Sequence, residues 1–257
     1  MSTISMFPPV GSSTATAQYT QFGGPTVDAF GRLRVSEPYT LFDSSNRFAA
    51  DPQFSGSTAG SATISYTAAQ AAVNLNVTTA SGDSAVRQSF RVMPYQPGKG
   101  LLILATFVMA TATANLRQRV GYFNADNGIF FQLNGTTKSF VIRSSVSGAV
   151  SDSNSATQAN WNGDKLDGTG ASGITLDLTK SQIFWTDMEW LGVGNVRCGF
   201  IINGQYIVCH TRRARITRAR RSDILSFSIS SREYCVSVFA CWRAVSSLPS
   251  ISACASM

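Results

Sequence analysis

From Ser61 to His210, apolar residues recur at every second position in short runs broken by turn residues, a spacing that excludes most helical folds. Ala62, Ile64 and Tyr66 alternate, then Val73, Leu75 and Val77, then Val86, Phe90 and Val92 around a polar turn at Ser81-Gly-Asp83. A strand sends successive side chains to opposite faces, so this period puts one apolar row per strand against a core. Leu101–Ala110 is a continuous apolar run, too short to cross a bilayer, and reads as a buried strand. Further strands are expected at Asn115–Phe123, Ile129–Leu133, Phe140–Val146, Ile174–Leu178, Gln182–Leu191, Val196–Ile202 and Tyr206–His210. Asn134-Gly135 and Asn203-Gly204 are two-residue hairpin signals, and Asp126-Asn-Gly128 is a third turn. Regular short strands of this kind predict an all-β fold, an antiparallel β-sandwich of jelly-roll (concanavalin-like) type, because two sheets must cover each other's apolar faces.

The flanks differ from this body. Residues 1–60 read as an extended N-terminal docking arm, with Gly31 and Pro38 as breaks. Its apolar anchors are Phe30, Leu33, Val35, Tyr39, Leu41 and Phe42, and Arg32, Arg34 and Arg47 are interspersed among them. The residues assigned to partner docking are Phe30, Arg32, Leu33, Arg34, Tyr39, Phe42 and Arg47, since these anchors would otherwise form an exposed apolar patch. The sandwich proper is expected at 61–211. Residues 212–257 form an anomalous basic tail, with eight of the 21 Lys and Arg against only Asp223 and Glu233. The body before it holds 13 bases and 12 acids, so +6 of the overall charge of +7 belongs to the tail. Leu225–Ile229 and Tyr234–Trp242 alternate within that tail and read as a terminal hairpin.

Several chemistries are weighed on these residues. The run Arg212–Arg221 carries six Arg in ten residues and would meet nucleic acid only through phosphate charge, with no sequence-specific motif. The five cysteines show no CxxC pair and no zinc spacing, so reduced thiols are expected, with no cofactor and no metal. Met1 to Tyr19 has neither Lys nor Arg nor an apolar segment of secretory type, and no membrane association is expected. His210 is the single histidine and reads as a surface or capping residue. The polar stretch 147–173 reads as a long surface loop in which Trp161, Asp164 and Asp167 form a candidate glycan face.

The string Phe184-Trp-Thr-Asp-Met-Glu-Trp-Leu-Gly192 resembles the catalytic strand of laminarinase-type glycoside hydrolases. That resemblance places a helper Asp at Asp187 and the acid/base at Glu189, about 7 Å apart on one strand face. The nucleophile position falls on Trp185, which cannot act as one. A non-enzymatic strand is therefore expected, with Phe184, Met188 and Trp190 in the core and the two acids in solvent.

A second resemblance covers far more of the chain. Asp28-Ala-Phe-Gly-Arg-Leu-Arg-Val-Ser-Glu-Pro-Tyr-Thr-Leu-Phe-Asp-Ser-Ser-Asn46, Asn115–Phe131 and Trp190–Gly204 resemble a family of tailed-bacteriophage virion structural proteins. The resemblance spans roughly residues 25–210. It implies a non-enzymatic particle component, tail- or fibre-associated, in the virion after synthesis in the host cytoplasm. Other virion proteins and further copies of the chain are the implied partners. A lectin-like module recognising host surface glycans and a capsid decoration protein are the alternatives. Past His210 the chain departs from that family. A shifted reading frame and a divergent tail whose strands complete the sheet both account for the change.

Overall fold

The computed structural model describes residues 39–93, 100–189, 194–213, 224–230, 236–238 and 241–246. In chain order the strands are β1 (Tyr39–Ser45), β2 (Phe54–Ala59), β3 (Thr63–Thr67), β4 (Ala72–Asn76), β5 (Ser84–Val92), β6 (Leu101–Phe107), β7 (Arg117–Phe123) and β8 (Gly128–Asn134). They continue with β9 (Thr137–Ser144), β10 (Ser151–Thr157), β11 (Gln182–Met188), β12 (Asn195–Ile202), β13 (Gln205–Arg213), β14 (Ile224–Ser230), β15 (Val236–Val238) and β16 (Cys241–Ser246). Two sheets, of order β1-β16-β6-β11-β12-β13 and β10-β9-β8-β7-β14-β5-β2, form an antiparallel β-sandwich, and β15-β4-β3 is a small third sheet. Helix among the described residues is confined to single 3-10 turns at Ala68–Gln70 and Gln158–Asn160.

Aromatic side chains join the two large sheets. Phe131 and Phe140 come from β8 and β9 of one sheet, and Phe184 and Phe200 from β11 and β12 of the other. Phe131 meets Phe200 edge-on at 5.2 Å between centroids, and Phe140 stacks on Phe184 at 6.0 Å. All four are buried to within 4% of complete shielding. Such pairs add about 0.5–1.5 kcal/mol each beyond the area they bury. The continuous run of β6 has its physical reason here. It is an interior strand between β16 and β11, and Leu101, Leu102, Ile103, Ala105 and Phe107 are buried on both of its faces. The hairpin at Asn203-Gly204 forms with both residues at positive φ, 52° and 75°, as a tight turn between twisted strands requires.

Four expectations need correction. Residues 39–60 are not part of an arm: β1 pairs with β16 and β2 with β5, so the sandwich already includes Tyr39 among the described residues. The stretch 147–173 is not one loop, because β10 pairs with β9 inside it. The two tail segments do not form a hairpin with each other. β14 fills a slot between β7 and β5 of one sheet, and β16 fills a slot between β1 and β6 of the other. The alternation in β5 has the expected period but the opposite phase: Ala85, Arg87 and Ser89 are buried, while Phe90 and Val92 face solvent.

The turns at one end are tied together by Asp83. Its Oδ1 accepts the Ser61 amide at 3.0 Å, and its Oδ2 accepts the Thr78 amide at 2.9 Å and the Thr78 hydroxyl. Gly60, at φ +68°, passes so close that a Cβ there would lie 2.0 Å from Asp83 Oδ1. The Thr78 hydroxyl, then the Ser61 and Thr78 amides, hold the Asp83 carboxyl below the usual carboxylate range. A depressed native pKa contributes stability above the unfolded value of about 3.9 and loses it as pH falls through the native value. Asp83→Asn is therefore expected to flatten the acid limb. Between pH 5 and pH 2 its melting temperature should fall less than that of the natural chain, and parallel curves would contradict the clamp.

Candidate functional site

The loop joining β1 to β2 is built on a buried arginine. Arg87 projects inward from β5, only 3% exposed, with its guanidinium 4.4 Å from the Phe54 ring centroid. It donates to Asn46 Oδ1 at 3.2 Å and to the Asp51 carbonyl at 3.3 Å. Asn46 Oδ1 also accepts the Asp51 amide at 3.0 Å, and Asp51 Oδ1 accepts the Gln53 amide at 2.8 Å. Gln53 Nε2 donates to the Asp43 carbonyl, and the Tyr66 hydroxyl donates to the Asn46 carbonyl, each across 3.0–3.1 Å. Desolvation pushes the Arg87 pKa down to about 10, against the favourable charge of Asp51, so the group stays cationic at neutral pH. Both ends of the loop are thus fixed from inside the sandwich.

What this frame presents is apolar. Phe48 is 86% exposed at the tip, with the Arg47 guanidinium 5.2 Å from its ring centroid. Phe90, 69% exposed, is joined to the loop base through its amide, which donates to the Gln53 carbonyl at 2.8 Å. A shallow, open depression lies alongside, lined by Asp43, Ser45, Arg47, Phe48, Pro52 and Gln53. Scattered exposed apolar residues are ordinary. Phe48 on the loop and Phe90, tied to its base, are solvent-facing rings that binding to another body would bury.

The docking residues read from sequence divide into four groups. Arg47 is exposed and belongs to this site. Phe42 does not: it is 3% exposed and packs edge-on against Phe54 at 5.6 Å, because β1 lies within a sheet and turns that side chain to the core. Tyr39 opens β1 opposite Ser246. Phe30, Arg32, Leu33 and Arg34 lie outside the described residues. Phe48 and Phe90 were missed. Phe48 stands alone among Ser, Asn, Arg and Ala and breaks no pattern, and Phe90 sits on the strand whose inward phase was misread.

The glycan face does not assemble. Trp161 is 3% exposed, stacks on Phe140 at 4.5 Å and donates its indole N–H to the Ala156 carbonyl at 3.1 Å. A polar sequence neighbourhood concealed a core tryptophan. Asp164 is consumed in shaping its own loop, accepting the Leu166 amide at 2.8 Å and the Ser172 amide at 2.7 Å. Asp167 is exposed and accepts the Thr169 amide and hydroxyl. Neither carboxylate shares an open surface with the Trp161 ring.

The acidic strand is buried, not solvated. Phe184 and Met188 enter the core, so Trp185, Asp187 and Glu189 share the opposite face of β11 and its continuation, and all three are 0% exposed. Arg197 on β12 forms an ion pair with Asp187, and Asp187, Glu189 and Arg197 are all partnered. Trp185 is accommodated because Gly199 lies opposite it; a Cβ there would meet the Trp185 Nε1 at 3.0 Å and the Ile207 carbonyl at 1.9 Å. His210 Nδ1 accepts the Asn162 amide at 3.3 Å, and burial followed by the charge of Arg212 lowers its pKa. Cys198 and Cys209 are free, buried thiols; burial pushes Cys198 up to about 12 and raises Cys209 as well. Among the described residues no group of three His, Cys, Asp or Glu could hold a metal ion, and no helix is long and apolar enough to cross a membrane.

No family model and no curated protein matches the chain. Its fold is nevertheless shared with solved structures. A protein of unknown function from Shewanella oneidensis MR-1 is 11% identical with a TM-score of 0.50, covering 95% of this chain and 100% of that one. The carbohydrate recognition domain of Emp47p is 7% identical with a TM-score of 0.51, covering 82% of this chain and 96% of that one. The receptor binding domain of a botulinum neurotoxin C/D mosaic serotype is 9% identical with a TM-score of 0.50, covering 82% of this chain but 48% of that one. At such identities the likeness establishes the β-sandwich and nothing finer.

Proposed function

We propose that this chain is a non-enzymatic docking module, a structural component of a tailed-phage particle that engages a neighbouring particle protein through the Asn46–Gln53 loop. One observation carries the reading: Phe48 is held in solvent by a loop anchored from inside through the bonds of buried Arg87 to Asn46 Oδ1 and the Asp51 carbonyl. Ordering cost is thereby met in the free chain, so burying the ring on a partner goes directly into affinity. The sequence resemblance to virion structural proteins supports the particle setting, and the enclosed Asp187–Arg197 pair supports a role without catalysis. Docking in a particle also fits repeated copies of the chain around a symmetric body.

Phe48→Ala is expected to leave the melting temperature within about 1 °C, because the ring contacts no core. The same variant, supplied during infection to phage lacking the natural copy, should enter purified particles at least about tenfold less, as a hot-spot aromatic worth about 1.4 kcal/mol or more requires. Quantitative mass spectrometry of particles reads this out. Unchanged incorporation would overturn the docking reading.

A second reading rests on the same ring. An exposed aromatic beside the polar groups of Asp43 and Gln53 is also a surface on which a saccharide can stack, and the fold is one used by the Emp47p carbohydrate recognition domain. Saccharide binding on a glycan array by the natural chain, abolished in Phe48→Ala with incorporation intact, would select it.

A further inference from the structure

The segment after Trp161 is strapped along the edge of the six-stranded sheet. β13 is the edge strand there, and three consecutive residues take up its outward backbone groups. Asn162 pairs its side chain with Thr211 twice, Oδ1 accepting the Thr211 amide and Nδ2 donating to the Thr211 carbonyl, each at 2.8 Å. The Gly163 amide donates to the Cys209 carbonyl at 2.9 Å, and the Asp164 amide to the Val208 carbonyl at 3.0 Å. The approach is close enough to demand glycine: a Cβ on Gly163 would lie 2.3 Å from the Val208 carbonyl oxygen. One bond of this strap can be reversed by a proton. The Asn162 amide donates to His210 Nδ1 at 3.3 Å, which requires that nitrogen to be bare and puts the imidazole proton on Nε2. Nε2 is itself buried and meets no acceptor among the described residues.

We propose that residues 162–164 form an acid-released strap, held while His210 is neutral and let go when His210 takes a second ring proton. A proton on Nδ1 turns the acceptor into a donor facing the Asn162 N–H, and among the described residues the imidazolium finds no acceptor for either proton. The charged groups around it do not compensate. Burial, and then the positive charge of Arg212 on the same strand, lower the His210 pKa. Asp164, the strap's own carboxylate, accepts the Leu166 and Ser172 amides, and Lys165 acts on Asp167. On β10 Asp152 is paired with Arg143, and on β12 Arg197 is paired with Asp187. Cys198, opposite His210 in register, is a thiol that burial keeps un-ionised. A histidine whose pKa is lowered in the closed form stabilises that form above its ordinary value of 6.5, and the stabilisation is lost as pH falls toward the lowered value. Release would bare the Cys209 and Thr211 backbone at the sheet edge, while Trp161, stacked on Phe140, anchors the chain upstream. The strap is separate from the Phe48 loop, and this inference stands or falls independently of the proposed partner.

Amide hydrogen exchange of the full chain, resolved by NMR and referred at each pH to the rate of an unstructured peptide, tests the strap. Between pH 7.5 and pH 5 the protection of the Gly163, Asp164 and Thr211 amides should fall at least about fivefold. The Met109 and Gly135 amides, bonded to the Leu178 and Leu116 carbonyls, should keep theirs, and a matching fall there would overturn the strap in favour of general loosening. His210→Asn, whose side-chain oxygen can accept the Asn162 amide without titrating, should hold the strap's protection level across the same range. Unchanged protection in the natural chain, or an equal fall in His210→Asn, would overturn the proposal. Should His210→Asn fail to fold, the natural chain decides alone, because His210 is its single histidine and the ring signals report its titration directly. Strap protection should then decline only below about pH 6.5 and level off once the ring is fully protonated. A decline that begins above neutrality, or runs on past full protonation, would overturn the switch.

Discussion

A chain ending at Arg213 is expected to show no cooperative melt. The segment after it contributes β14, hydrogen-bonded on both sides between β7 and β5, and β16, hydrogen-bonded on both sides between β1 and β6. Removing them opens an interior gap in each large sheet at once. β5 and β2 would be severed from β7, and β1 from β6. The strand edges so created lie over a core that includes Val120, Tyr122, Ile103 and Ala105, where water cannot replace the lost partners without wetting apolar surface. A loss on this scale exceeds the roughly 5–15 kcal/mol by which a domain is stable. Circular dichroism melts and calorimetry of the two chains make the comparison. A sharp transition in the shortened chain would show that the sheets close without the basic tail, and would favour the shifted-frame reading of that tail over the divergent one.

Arg197→Met is expected to cost about 3–5 kcal/mol, because it breaks the ion pair with Asp187, which is at 0% exposure. For a domain of this size that corresponds to a fall in melting temperature of roughly 10 °C. Replacing both partners, as Asp187→Leu/Arg197→Met, should recover most of the loss, since an apolar pair of similar volume carries no desolvation cost. Chemical denaturation of the three chains measures it. A cost under about 1 kcal/mol for the single variant would mean that the carboxylate is hydrated, and the enclosed face described above would then be open.

The parts of this fold that sequence conveyed are those set by local repetition. Period-two alternation gave the strands around Ile64, Leu75 and Val120, and the Asn203-Gly204 turn gave the β12–β13 hairpin, because both signals act over a few residues. What failed depends on which face meets which neighbour. Phe90 and Arg87 lie on opposite faces of β5, and only the tertiary pairing with Asn46 and Asp51 makes the arginine the inward residue. Trp161 read as a surface ring because its sequence neighbours are polar, while its stacking partner Phe140 lies 21 positions away. Asp187 and Glu189 read as solvated for the same reason: nothing in Trp185–Trp190 shows that Arg197 sits across from them. The docking loop was half visible. Arg47 was identified with the arm, but the exposure of Phe48 follows from a scaffold, Arg87 and Tyr66, that converges from distant strands.

The docking claim is tested most directly by imaging the intact particle at side-chain resolution. The account predicts that Phe48, 86% exposed in the free chain, is almost fully covered by a different particle protein, with Arg47 and Phe90 at the same contact. Particles in which the chain is present while Phe48 and Phe90 both stand in solvent would contradict it.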